Sequence, residues 1–164
     1  AFIFLGRLFG MQAKYESESE VHDLVRSFEE ATISRDDWHH AEHLVVALFY
    51  LSCSDFDTAT DKMRAGLFNL LRTAFKVDLD KEMPYHETLT VFWMRTVADL
   101  NSLMEGASLE EKANRLVAAF DKDYPLRFYS RELLFSDEAR ERYVEPDLDS
   151  RNARFSGSPI AGSL

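Results

Sequence analysis

Three histidines stand within five positions in the stretch Trp38-His39-His40-Ala41-Glu42-His43-Leu44, in a chain that holds only 5. A fourth, His86, lies in a second stretch, Pro84-Tyr85-His86-Glu87-Thr88-Leu89-Thr90. On a helix, residues three or four apart are surface neighbours, so His43 adjoins both His40 and His39 and either pair can chelate. Neutral imidazole is a common ligand of zinc and iron, and three nitrogens around an open fourth position form a frequent catalytic metal centre. The expected ligands are His40, His43 and His86, holding one divalent ion, zinc or iron. The expected catalytic residues are Glu87, as base or orienting carboxylate, and Tyr85. Two other readings use the same residues: a buried polar network that fixes helix ends, and metal-free acid/base chemistry.

The elements must bring these residues together. After its first turn the stretch Leu44-Val45-Val46-Ala47-Leu48-Phe49-Tyr50-Leu51 is apolar all round, which predicts a central, buried helix from about Trp38 to Cys53. At 100° per residue His43 shares the face of Val46, Ala47 and Tyr50 and should point inward, with small Ala47 leaving room one turn below. His86 and Thr90 share a face with Trp93 on a helix expected from Pro84 to Glu105, with Gly106 as its stop. Short connections make consecutive helices antiparallel, so the helices carrying the two motifs should run parallel with their N-termini at one end. The partial positive charge there disfavours imidazolium.

The remaining signals are also helical. Ser17 and Glu20 read as a capping box opening a helix over residues 18–32. The acidic run from Asp55 to Asp61 reads as a cap and solvated face; without the central glycine and terminal glutamate it is not a calcium loop. It opens a helix with Met63, Leu67, Leu70, Leu71 and Phe75 on its buried side. Ser108 and Glu111 form a second capping box, ahead of Ala113, Leu116, Val117 and Phe120. Beyond Pro125 come two short helical pieces ending at Pro146, whose apolar side chains are too many to leave in water. Arg127 and Arg131 read as packing residues, with an anion clamp as the competing use. The fold class is therefore all-α: a single-domain bundle of about five helices with a C-terminal helical arm.

The 164-residue length suits one domain with a real core. Acidic residues outnumber basic ones 29 to 19, a balance that suits neither a phosphate backbone nor an anionic membrane surface. The expected partner is a small molecule, with no nucleic acid and no membrane. The single cysteine, Cys53, excludes an intrachain disulfide and a cysteine zinc site; it reads as a buried thiol in a cytoplasmic protein. The apolar opening, Ala1 to Met11, is shorter than the ~20 residues that span a bilayer and lacks the flanks of a signal peptide. Residues 1–16 are expected to be an extension or remnant without fixed structure, 17–148 the bundle, and 149–164 a flexible tail. There is no phosphate-binding glycine loop, no G-x-S-x-G elbow, no H-E-x-x-H and no paired Glu-x-x-His, so a metal site would be mononuclear.

Trp38-His39-His40-Ala41-Glu42-His43-Leu44, Tyr85-His86-Glu87-Thr88, and the late stretch with Tyr129-Ser130, Ser136, Ala139-Arg140 and Pro146-Asp147 together resemble a family. It is one of small, uncharacterised bacterial helical proteins with Trp-x-His-x-x-His-Leu, Tyr-His-Glu-Thr and Tyr-Ser…Ser…Ala-Arg…Pro-Asp motifs. The resemblance spans roughly residues 20–148. It implies His40 and His43 rather than His39, where threonine is frequent, and it implies Tyr85, His86, Glu87 and Thr88. It carries residue choice and no reaction. Two functions follow as expectations. One is a mononuclear divalent-metal-dependent enzyme acting on a small molecule through the histidine cluster. The other is a non-enzymatic helical module that binds a small ligand or a protein and keeps a buried His/Thr/Glu network.

Overall fold

The computed structural model describes residues 13–148, and among these are seven α-helices and no strand. α1 (Glu18–Glu29), α2 (His40–Cys53), α3 (Phe56–Asn69), α4 (Glu87–Leu103) and α5 (Leu109–Ala119) form the bundle. α6 (Arg131–Leu134) and α7 (Asp137–Glu141) form the C-terminal arm. This is the all-α class expected from the sequence.

α2 is the axis. Leu44, Val45, Val46 and Leu48 have no solvent exposure, because α1, α3, α4 and α5 all pack on this helix. A helix that is apolar around its circumference has no polar face to turn to water, so neighbours on every side give the lowest free energy. Gly66 lets α3 come close to α1: a β-carbon there would lie 2.3 Å from the Phe28 ring.

Several helix starts differ from the sequence expectation, each for a local hydrogen-bonding reason. α2 begins two residues after Trp38, since Ser34 closes a separate 3₁₀ turn by accepting from the Asp37 N–H at 3.2 Å. His39 is then the N-cap, and its backbone N–H donates to Glu42 Oε2 at 2.9 Å. α4 begins at Glu87 rather than Pro84, because the His86 side chain organises the first turn. At α1 the Ser17 hydroxyl does not cap, and Glu20 instead accepts from the Glu16 N–H at 2.7 Å. The Ser108–Glu111 box does form, with reciprocal bonds of 3.3 and 3.0 Å. α4 ends at Leu103, two residues short of the expected Glu105, and Gly106 turns the chain beyond it with φ of +86°, the left-handed conformation glycine adopts at least cost. Asp55 caps α3 by accepting from the Thr58 N–H at 2.9 Å, so the acidic run is a cap as read.

α3 continues into a π turn at Leu70–Ala74, closed by the Phe75 N–H on the Leu70 carbonyl at 3.0 Å. Such wide turns recur at functional sites. Here Leu70, Leu71 and Phe75 line a cavity.

The packed region extends before α1. Tyr15 is buried, and its backbone exchanges hydrogen bonds of 3.0 and 2.8 Å with the Asn114 amide on α5. Residues 14 and 15 therefore belong to the bundle and not to the expected loose extension. The rest of that extension, residues 1–12, and the tail, 149–164, lie outside the described residues. Cys53 is exposed rather than buried, because the apolar run ends at Leu51 and the last residues of α2 pass beyond the bundle. The arm packs on α4 through buried Leu134 and Ala139, although Phe135 stays 48% exposed.

Candidate functional site

The N-terminal turns of α2 and α4 open onto one cavity of about 460 Å³, and His40, His43 and His86 all contribute to its wall. The parallel arrangement of the two helices therefore puts the motifs at the same end, as their topology predicts. Its floor is apolar, built from Met63 and Leu67 of α3, Leu70 of the π turn and Met94 of α4. The volume falls within the ~300–1,000 Å³ of ordinary small-molecule sites. Trp38 and Trp93 stand in the wall, each against a histidine: ring centroids are 4.3 Å apart for Trp38 and His43, and 4.6 Å for Trp93 and His40. These are the chain's 2 tryptophans.

The histidines share a wall but not a role. His86 uses both ring nitrogens within the protein. Nε2 lies 2.7 Å from the Leu134 carbonyl, and because a carbonyl only accepts, Nε2 carries the proton. Nδ1 then accepts from the Leu89 N–H at 3.2 Å, capping α4. Burial is the main reason its pKa is lowered; the Leu134 carbonyl opposes this and nearby Arg140 reinforces it. His40 donates Nε2–H to the Phe120 carbonyl at 3.2 Å, which leaves Nδ1 with its lone pair. Its pKa too is lowered, chiefly by burial.

His43 is different. No described residue hydrogen-bonds to its ring nitrogens, and what surface it keeps borders the cavity. Burial first, and then the neighbouring His40, push its pKa down to about 4, against a smaller opposing pull from Glu42. His43 is therefore a neutral imidazole with one donor and one acceptor left for a guest. His39, by contrast, is exposed at the rim and caps α2.

Neither carboxylate of the two motifs lines the cavity. Glu42 is buried and paired with Lys14. Glu87 accepts from Arg64 Nε at 3.1 Å on both oxygens, is bridged again by Arg64 Nη2, and accepts the Tyr85 hydroxyl at 2.5 Å. Burial alone would raise the Glu87 pKa, but the bonds from Arg64 and Tyr85 outweigh it and hold the group below the ordinary carboxylate range. Tyr85, pushed up to about 12 by burial and then by its bond to Glu87, keeps its proton at neutral pH. Tyr85 reaches the cavity wall; Glu87, the expected base, does not.

The residues present do not fit the expected three-histidine centre. His86 has no free lone pair, and among the described residues the wall offers no carboxylate to replace it. His40 and His43 alone fall short of three protein ligands, or of two histidines and a carboxylate. Among the described residues no group of three His, Cys, Asp or Glu side chains is placed to hold a metal ion.

The second and third motifs interlock instead. Thr88 Oγ1 donates to the Arg142 carbonyl at 3.0 Å and accepts from the Val144 N–H at 3.1 Å. Tyr129 donates to the Val144 carbonyl at 2.9 Å, and Asp147 accepts from the Ser130 N–H and hydroxyl at 2.7 and 2.6 Å. Ser130 and Ser136 cap α6 and α7. The Tyr-His-Glu-Thr stretch thus clamps the arm to the start of α4. Arg127 lies over the Tyr124 ring at 5.2 Å and Arg131 is exposed, so neither joins the cavity.

Sequence reading did not find Arg64, which pairs with Glu87 across 23 positions, or Lys122 at the cavity rim. No local pattern marks either. Fold and wall chemistry together define a class: an all-α bundle with an apolar, histidine-edged cavity at one end. Comparison with protein-family models, with curated proteins and with solved structures finds no match to the chain. No helix among the described residues is long and apolar enough to cross a membrane.

Proposed function

We propose that the chain binds a small, mainly apolar molecule in the cavity between α2, α3 and α4, with His43 as its polar contact. One observation carries this reading: His43 is a neutral imidazole without a hydrogen-bond partner among the described residues, in the wall of a 460 Å³ cavity whose floor is apolar. His43 is half-buried at the cavity, and a guest that fills the space gains apolar contact there together with a hydrogen bond. Glu42, Tyr85, His86, Glu87, Thr88 and Thr90 already have protein partners, which supports binding rather than an acid/base pair. Glu87 is held by Tyr85 and Arg64, so among the described residues no carboxylate stands ready to move a proton at the cavity.

The test uses untagged protein and naphthalene as a shape probe, read by calorimetry. Binding is expected at about one molecule per chain, and Ala47→Phe, which fills the space beside His43, should abolish it without loss of helicity. No binding by the parent protein refutes the reading. About one divalent metal per chain by elemental analysis, lost in His43→Ala, would replace it with the metal-dependent one.

A further inference from the structure

The charges around the cavity decide more than its volume does. Among the described residues no aspartate or glutamate lines it, since Glu42 and Glu87 are spent on Lys14 and Arg64. A cationic guest would therefore be buried without a counter-charge, which is strongly unfavourable. An anionic guest fares little better. Among the described residues the one lining cation is Lys122, which stands 77% exposed at the rim, 3.5 Å from Asp123. A charge that exposed is well screened and contributes little. Arg64 is committed to Glu87 and Asp61 and does not line the space. The three wall histidines are held neutral, first of all by burial.

Imidazole nitrogens stand among the polar groups that remain. His43 keeps both ring nitrogens and His40 keeps Nδ1 as an acceptor, for Nε2–H is spent on Phe120. Two imidazole lone pairs, one on His43 and one on His40, thus sit on one helical face three residues apart. Two indole rings flank them, and π faces favour flat, polarisable guests.

Resting on the cavity reading above, we infer that the ligand is an uncharged, flat aromatic or heteroaromatic molecule whose hydroxyl or ring N–H donates to the His40–His43 edge. A phenol or an indole has this chemistry; a carboxylate, a phosphate or an amine does not.

Four probes of one shape separate the possibilities: naphthalene, 2-naphthol, 2-naphthoate and 2-naphthylmethylammonium, each titrated by calorimetry at pH 7. A neutral hydrogen bond gained in an apolar site is worth up to about tenfold in affinity. 2-Naphthol should therefore bind about tenfold tighter than naphthalene, and both charged probes should bind more weakly than naphthalene. In His43→Leu the naphthol advantage should vanish while naphthalene still binds, which separates lost recognition from lost folding. Equal binding of naphthol and naphthalene overturns the donor inference and leaves the cavity reading standing. Tighter binding of 2-naphthoate or of the ammonium probe overturns the uncharged class in favour of an anion or a cation. Binding of none of the four overturns the inference and the cavity reading together.

Discussion

His86 separates a histidine that holds the fold from one that serves a guest. Replacing it with alanine removes two bonds at once: the cap on the Leu89 N–H and the donor to the Leu134 carbonyl. Loss of an N-cap side chain costs ~0.5–2 kcal/mol, and a buried carbonyl left unpaired costs ~1–3 kcal/mol. His86→Ala should therefore destabilise the protein by about 2–5 kcal/mol, the low end applying where water reaches the Leu134 carbonyl. His86→Asn divides the effect. Asparagine caps well but is too short to reach α6, so its cost should be about 1–3 kcal/mol, the carbonyl part alone. Urea unfolding gives the two free energies, and amide exchange shows where the loss falls. The arm, tied to α4 through His86 and Thr88, should exchange faster than α2 in both variants. A loss under about 0.5 kcal/mol for His86→Ala, the scale of an ordinary surface change, would refute the clamp, as would an asparagine variant no better than alanine.

Two further perturbations reach His43 and its support. Its pKa falls from 6.5 unfolded to about 4 folded, so the unfolded chain takes the proton more readily. That stability is complete above pH 6.5 and is lost as pH falls towards 4, by on the order of 3 kcal/mol, with His40 and His86 acting in the same direction. Urea melts from pH 7.5 to 4 should show the fall, shallower in His43→Leu; an unchanged slope in that variant refutes the assignment. Gly66→Ala should cost ~1–3 kcal/mol by overpacking. The new methyl meets the Phe28 ring, which stacks at 5.0 Å on Trp38, itself 4.3 Å from His43. The same variant should shift tryptophan fluorescence, since Trp38 bears the push; a stable protein with unchanged emission would show that Phe28 yields elsewhere.

Much of this molecule follows from local chemistry. The apolar circumference of residues 44–51 requires a central helix, because no other placement keeps Val45, Val46 and Leu48 from water at once. The Ser108–Glu111 box, the Asp55 cap and the Gly106 turn depend on neighbours within four residues, so they are visible in the string. Helical spacing also places His43 beside Ala47, and short connections place the α2 and α4 starts at the same end. Those rules act over one turn or one loop, and they need no knowledge of the rest of the chain.

The division of labour among the histidines was decided only in three dimensions. His40, His43 and His86 are alike as residues, and each sits at or near a helix start. Which nitrogen stays free depends on carbonyls far along the chain: Phe120 takes the His40 proton and Leu134 takes that of His86. Arg64 removes Glu87 from the cavity in the same way, across one helix pair. Capping is a choice between groups three residues apart, but a carbonyl that accepts from 48 residues away leaves no trace in local spacing. Imidazole chemistry was legible in the sequence; the assignment of each lone pair required the packed end of α5 and the arm.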